Sequence, residues 1–261
     1  MFRSKWESFF VLFMLMLFLT GLFLALYPYI QGAVVDRRMN WEAEDFLSRV
    51  VDDPEDGIPN IVILPTAPET EESRQHKELW DAMTAYNQRI YEEGQSALSH
   101  SGAYQASIFT LTDYGLPDEK FGVISIPKLE LEMPLYLGAT DENMANGAAV
   151  LSETSIPVGG TNTNAVIAGH RGWGGASYFR YITDLTLGDE VIITNLWETL
   201  RYQVVGTKII EPHEIENILI QPGRDMVTLL TCHPYASGGK QRYLVYCKRI
   251  SESENKEVSY G

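Results

Sequence analysis

The stretch FFVLFMLMLFLTGLFLALYPYI, Phe9 to Ile30, constrains this chain more than any other: 22 residues without a charged side chain. A membrane's hydrocarbon core is about 30 Å thick and takes ~20 apolar residues in a helix. A signal-peptide core is shorter, ~7–15 residues, and ends on small residues at a cleavage site. This run ends in bulky residues, LYPYIQG, with no A-x-A pattern. It reads as an uncleaved anchor, with Tyr27 and Tyr29 suited to one membrane interface and Trp6 to the other. Arg3 and Lys5 precede the span and Arg37 and Arg38 follow it, so the positive charges tie. The short leading segment, residues 1–8, with its cations close to the span, favours that end inside and the remainder outside. No second run reaches membrane length. The expectation is a single-pass cell-membrane protein with one large domain on the extracellular face.

A net charge of −15 argues against a nucleic-acid partner. The acidity is concentrated in WEAEDFLSRVVDDPED, Trp41 to Asp56, with seven acidic residues and one basic. Such a run reads as a solvated linker, and residues 31–72 are assigned as an acidic, proline-containing linker with a short apolar patch at Ile61–Leu64. Leu79, Met83, Tyr86 and Ile90 then recur at helical spacing, so an amphipathic helix is expected over 74–93, capped by Ser73 and stopped at Gly94. The helix and a lid-region loop together make up 73–119.

From Lys120 the pattern alternates and is broken by prolines and glycines. KFGVISIPKLELEMPLYLGA, GAAVLSE and NAVIAGH hold short strands. So does GDEVIITNLWETLRYQVVGTKII, a hairpin turning near Asn195–Glu198, and DMVTLLTC and RYLVYCKRI complete the set. About eight strands with little helix predict a mainly β fold, a closed barrel or sandwich over 120–250, followed by a polar segment, 251–261.

The run TLLTCHPYASGGKQR, Thr228 to Arg242, raises a chemical question about Cys232. The only other cysteine is Cys247. If 226–232 and 242–249 pair as a hairpin, Cys232 lies opposite Arg242 and Cys247 opposite Val227. Five residues along a strand separate the cysteines by about 17 Å, whereas a disulfide needs Cα atoms within about 7 Å. None of the five histidines stands at ligand spacing from Cys232, so no metal or cofactor is expected. Cys247 reads as a core thiol. His170, in NAVIAGHRGWGG, ends another strand at a glycine-rich loop. A cation near a thiol lowers its pKa and can stabilise an oxyanion. The residues alone leave Cys232 open between a core thiol and the nucleophile of a Cys–His–Arg site. His233 reads as loop surface or groove wall.

TLLTC resembles the TLxTC signature of the sortases, membrane-anchored cysteine transpeptidases of Gram-positive bacteria. AGHRG resembles the segment that carries their histidine, and Arg242 stands where they carry an arginine. The helix containing AYNQRI, IPKLELEMPLYLGA, TSIPVGGTNTNAVIAGHRG and TCHPY look like class C, the pilin polymerases. Residues 94–119 lack the Asp-Pro-aromatic lid anchor of that class. The resemblance implies an eight-stranded sortase β-barrel. It implies Cys232 as nucleophile, His170 as general acid/base and Arg242 as the oxyanion or substrate stabiliser. The implied substrates are surface proteins or pilins bearing an LPXTG-like signal, cleaved between Thr and Gly. The implied acceptor is an amine, a pilin lysine or a cell-wall precursor. Alternatives are a housekeeping or class D-like sortase, and a non-catalytic tethered assembly module.

Overall fold

A computed structural model of the chain describes residues 2–50, 71–99, 106 and 108–250. The patch at Ile61–Leu64 and the segment 251–261 lie outside the described residues. Eight strands form where the sequence places them: β1 (Lys120–Ile126), β2 (Leu131–Leu137), β3 (Ala148–Val150), β4 (Thr163–Ala168), β5 (Glu190–Asn195), β6 (Thr199–Ile210), β7 (Asp225–His233) and β8 (Gln241–Arg249). They close in the order β1-β2-β3-β4-β7-β8-β6-β5. Of the two folds the strand pattern allowed, barrel or sandwich, the closed barrel that the family resemblance implied is the one found, and closure pairs the edge strands of the sheet. The hairpin register is also as read: Cys232 pairs with Arg242, and Val227 with Cys247.

Alternation sorts each strand into two faces. Val227, Leu229, Val245 and Cys247 join the main core inside the barrel. Val166, Ala168, Ile210 and Leu244 form a second apolar cluster on the outer face, with Leu230 packed against it. The 211–224 connection is bound onto that face. Asn164 Nδ2 donates to Ile218 O (2.9 Å), Thr228 Oγ1 donates to Asn164 Oδ1 (2.8 Å) and Tyr246 OH donates to Asn217 O (3.1 Å).

Two helices pack on the barrel, one on its main core and the other along β1 and β2. α2 (Glu71–Glu92) begins before Ser73, so that residue is not its cap. Its buried face is the expected one: Leu79, Met83, Tyr86 and Ile90 are each no more than 9% exposed. Asn87 fastens it, donating Nδ2–H to Ile156 O (2.9 Å) and accepting from Ile156 N (2.7 Å). Leu116 also packs on this core.

α1 (Phe2–Val50) corrects the linker reading of 31–50. The apolar stretch runs on as one helix, and Gly32, Met39, Ala43 and Phe46 are buried, with Val35, Leu47 and Val50 partly so. That is an i, i+3/i+4 stripe hidden among acidic residues. The acids are paired rather than merely solvated. Lys120 Nζ lies 3.3–3.9 Å from Asp118, Asp45 and Glu42, and Arg49 lies 3.3 Å from Asp45 and Asp118.

If α2 seals the core, Leu79→Ala costs about 2–5 kcal/mol, as other buried leucines do. Denaturant unfolding of the barrel measures it, and a change below about 1 kcal/mol would show that α2 is peripheral.

Candidate active site

β7 stands between a parallel neighbour, β4, and an antiparallel one, β8. In the β4–β7 ladder Ala168 lies opposite Leu230. Gly169 N donates to Leu230 O (3.1 Å), and Thr231 Oγ1 donates to Gly169 O (2.8 Å). One residue further on each chain stand His170 and Cys232. Cys232 continues the outer face of Thr228 and Leu230, and Arg242 that of Leu244. The structure therefore brings all three sequence-predicted residues to the same end of the adjacent strands β4, β7 and β8.

Gly239 lies between two of them. A Cβ on it would sit 3.3 Å from both Cys232 Sγ and Arg242 Nη1, and its φ is +76°. Thiol and guanidinium are thus within about twice that distance of each other, and only a glycine leaves the space between them clear. Arg242 is aimed from below: Nη1 donates to Gly239 O (2.7 Å) and Gln241 O (3.1 Å). Among the described residues its other guanidinium nitrogens carry no protein hydrogen bond.

His170 is held by aromatic neighbours. Its ring stacks on Trp173 (5.1 Å, 21°) and meets the edge of Tyr178 (5.6 Å, 89°). Phe179 N donates to His170 O (2.9 Å), and the Phe179 ring packs so closely on Gly169 that a Cβ there would lie 2.6 Å away. Burial pushes the His170 pKa below the usual imidazole range, with Asp141 opposing it. Trp173 itself is 63% exposed.

The neighbouring residues Arg171 and His233 also meet. Arg171 Nη1 lies 2.6 Å from His233 Nδ1 and 3.5 Å from Cys232 O, and Nη2 donates to Thr183 Oγ1 (3.2 Å). Arg171 ties the histidine loop to the end of the cysteine strand. A guanidinium only donates, so His233 Nδ1 accepts and the ring is neutral there. Burial first and Arg171 second hold its pKa low. The sequence signal for Arg171 was its place beside His170 in AGHRG, and no pattern of spacing marked it.

Both cysteines are free. Cys247 is fully buried, and burial pushes its thiol pKa up, away from reactivity. Cys232 is half-buried at the end of β7.

Trp173 shields the His170 ring from water, and desolvation lowers an imidazole pKa. Trp173→Ala is therefore expected to raise the His170 titration midpoint from below about 6.5 towards that value. NMR titration of the His170 ring proton reads it, and an unmoved midpoint would remove Trp173 from the account.

Residues 124–250 match a family model described as the sortase domain. "Sortase D" of Bacillus subtilis (strain 168) is 27% identical over 132 residues, which is 50% of this chain and 64% of that protein. The chain thus spans less than two thirds of this curated relative. Among solved structures, Streptococcus agalactiae sortase C1 in complex with MTSET is 33% identical, with a TM-score of 0.60 over 71% of this chain and 92% of that one. Sortase C-1 of Streptococcus pneumoniae is 29% identical, with a TM-score of 0.63 over 81% and 98%.

Proposed function

The chain belongs to the sortase family, and we propose that it is a class C-like cysteine transpeptidase that joins a sorting signal to a pilin lysine. The observation that carries this is the pairing of Cys232 with Arg242 on β7–β8 while His170 stands two residues past the end of the parallel neighbour β4. The pilus role is supported by the likeness to solved sortases C, one of them described as belonging to a pilus island and matching 82% of this chain.

Cys232, as thiolate, adds to the threonine carbonyl of an LPXTG-like signal. The oxyanion is met by the unbonded donors of Arg242, whose planar fork suits it. The bond to glycine breaks, and protonated His170 gives its proton to the departing amine. A thioester remains on Cys232. The lysine amine adds to that thioester, returns a proton to His170 and expels the thiolate. The anchor, α1 from Phe9 to Ile30, keeps the reaction at the membrane, with the barrel on the outer face. A second reading is a housekeeping or class D-like sortase that attaches surface proteins to a cell-wall amine; the match to a protein named "Sortase D" bears on the class alone.

The test uses the full chain in lipid nanodiscs with LPXTG-type peptides and either pilins or cell-wall amines, followed by mass spectrometry. A Cys232 thioester released by hydroxylamine is expected, and Cys232→Ala should lower turnover by about 10³-fold or more. Arg242→Lys should lower kcat by ~10²-fold. Undiminished product from Cys232→Ala would leave a non-catalytic tethered module as the better description. Cleavage that never yields an amine adduct would make the protein a hydrolase of sorting signals.

A further inference from the structure

The loop after His170 is weakly ordered by its own sequence. Gly172, Gly174 and Gly175 all take positive φ, +79°, +56° and +89°, and glycines lose the most freedom on ordering. Its internal fastening is the small bridge of Trp173 with Ala176 and the bond from Phe179 N to His170 O, and Arg171 ties its start to β7. Its glycine-rich far side, 174–178, is supported by α1.

Three contacts make that connection. Gly32 meets Gly175 backbone to backbone: a Cβ on Gly32 would lie 2.2 Å from Gly175 C, and one on Gly175 would lie 2.1 Å from Pro28 O. One turn on, the Asp36 carboxylate accepts from Ser177 N (2.9 Å) and Ser177 Oγ (3.3 Å). A carboxylate on a backbone N–H is among the stronger hydrogen bonds. Then Arg38 Nη2 donates to Ala145 O (3.3 Å), the same carbonyl that accepts the Tyr178 hydroxyl (2.8 Å). Ser177 and Tyr178 are adjacent, and Tyr178 sets its ring edge against His170.

We propose that the outer end of α1, through Gly32, Asp36 and Arg38, is a positioning element for His170, so that the anchor helix forms part of the active-site scaffold. This rests on the reading of His170 as the acid/base of transpeptidation. A helix merely packed on the barrel would need only its apolar stripe, Met39, Ala43 and Phe46. Asp36 lies on the same face, three residues before Met39, where packing alone would favour an apolar side chain; it spends its charge instead on a loop amide more than 140 residues away in sequence.

The experiment follows the full chain in nanodiscs by two readouts: NMR titration of His170, and kcat and KM per Cys232 site titrated by alkylation. The groups facing the imidazole are Trp173, Tyr178 and, by its charge, Asp141, with Asp36 and Arg38 behind Tyr178. Asp36→Ala should shift the His170 midpoint and lower kcat by about 10- to 100-fold, the cost of a displacement near 1 Å, with KM within about twofold. Asp36→Asn keeps one acceptor oxygen and should recover most of the loss. Gly32→Ala, which forces helix and loop apart, should act in the same direction even if Asp36→Ala folds poorly. Trp41→Ala, on the exposed side of α1, should change neither readout. An unmoved His170 midpoint in both Asp36→Ala and Gly32→Ala overturns the inference, as does an Asp36→Asn no better than alanine. A shifted midpoint in a protein that transfers no peptide upholds the positioning and sinks the transpeptidase reading instead.

Discussion

The parallel pairing of β4 with β7 is the constraint on which the rest depends. Parallel neighbours need a long crossover, and here the crossover is everything from the histidine loop through β5, β6 and the 211–224 connection. Ala168 opposite Leu230 puts two strand ends at the same height. The bond from Thr231 to the Gly169 carbonyl locks that height where the ladder stops. A slip of one residue would turn Cys232 into the core and Thr231 onto the outer face. The buried residues on both faces of β7 make such a slip costly: Val227 and Leu229 face the core, and Leu230 packs against the outer cluster.

Close approach explains the glycines at the site better than flexibility does. Gly169 lies under the Phe179 ring, Gly175 against the helix backbone, and Gly239 beside both the thiol and the guanidinium. At Gly169 and Gly175 a single methyl group would collide with its neighbour, and at Gly239 it would crowd the thiol and the guanidinium at 3.3 Å. The site is therefore shaped as much by missing side chains as by present ones.

Much of this was legible in the sequence because it rests on local periodicity. The buried face of α2, the eight strands and the Cys232–Arg242 register all follow from spacing of two or of three and four. What stayed hidden depends on partners far along the chain. The stripe from Gly32 to Val50 is interrupted by acids whose pairing with Lys120 and Arg49 is visible only in three dimensions. The run looked solvated because charge counts carry no information about where the cations are. Arg171 was hidden for the same reason, since its partners, Cys232 and His233, lie some sixty residues away. The placing of His170 and Cys232 at neighbouring strand ends needed the parallel pairing, which no hairpin rule supplies; the likeness to sortase motifs supplied it instead.

The electrostatics of the site run against those of the whole chain. With a net charge of −15, the protein as a whole disfavours a thiolate or an oxyanion. Yet Arg171, Arg180 and Arg242 gather around the ends of β4, β7 and β8, Arg180 stacked on the Tyr235 ring at 4.7 Å. Several acids are committed elsewhere: Glu42, Asp45 and Asp118 around Lys120, and Asp225 at the other end of β7, under the Tyr202 hydroxyl (3.1 Å). At a few ångströms and low effective dielectric, such local terms outweigh distant charges, which are screened within about 10 Å in ordinary salt. The folding of β7 against β8 thus does two tasks at once. It sets the thiol and the guanidinium on one face, and it gives a negatively charged protein one cationic corner suited to anionic intermediates.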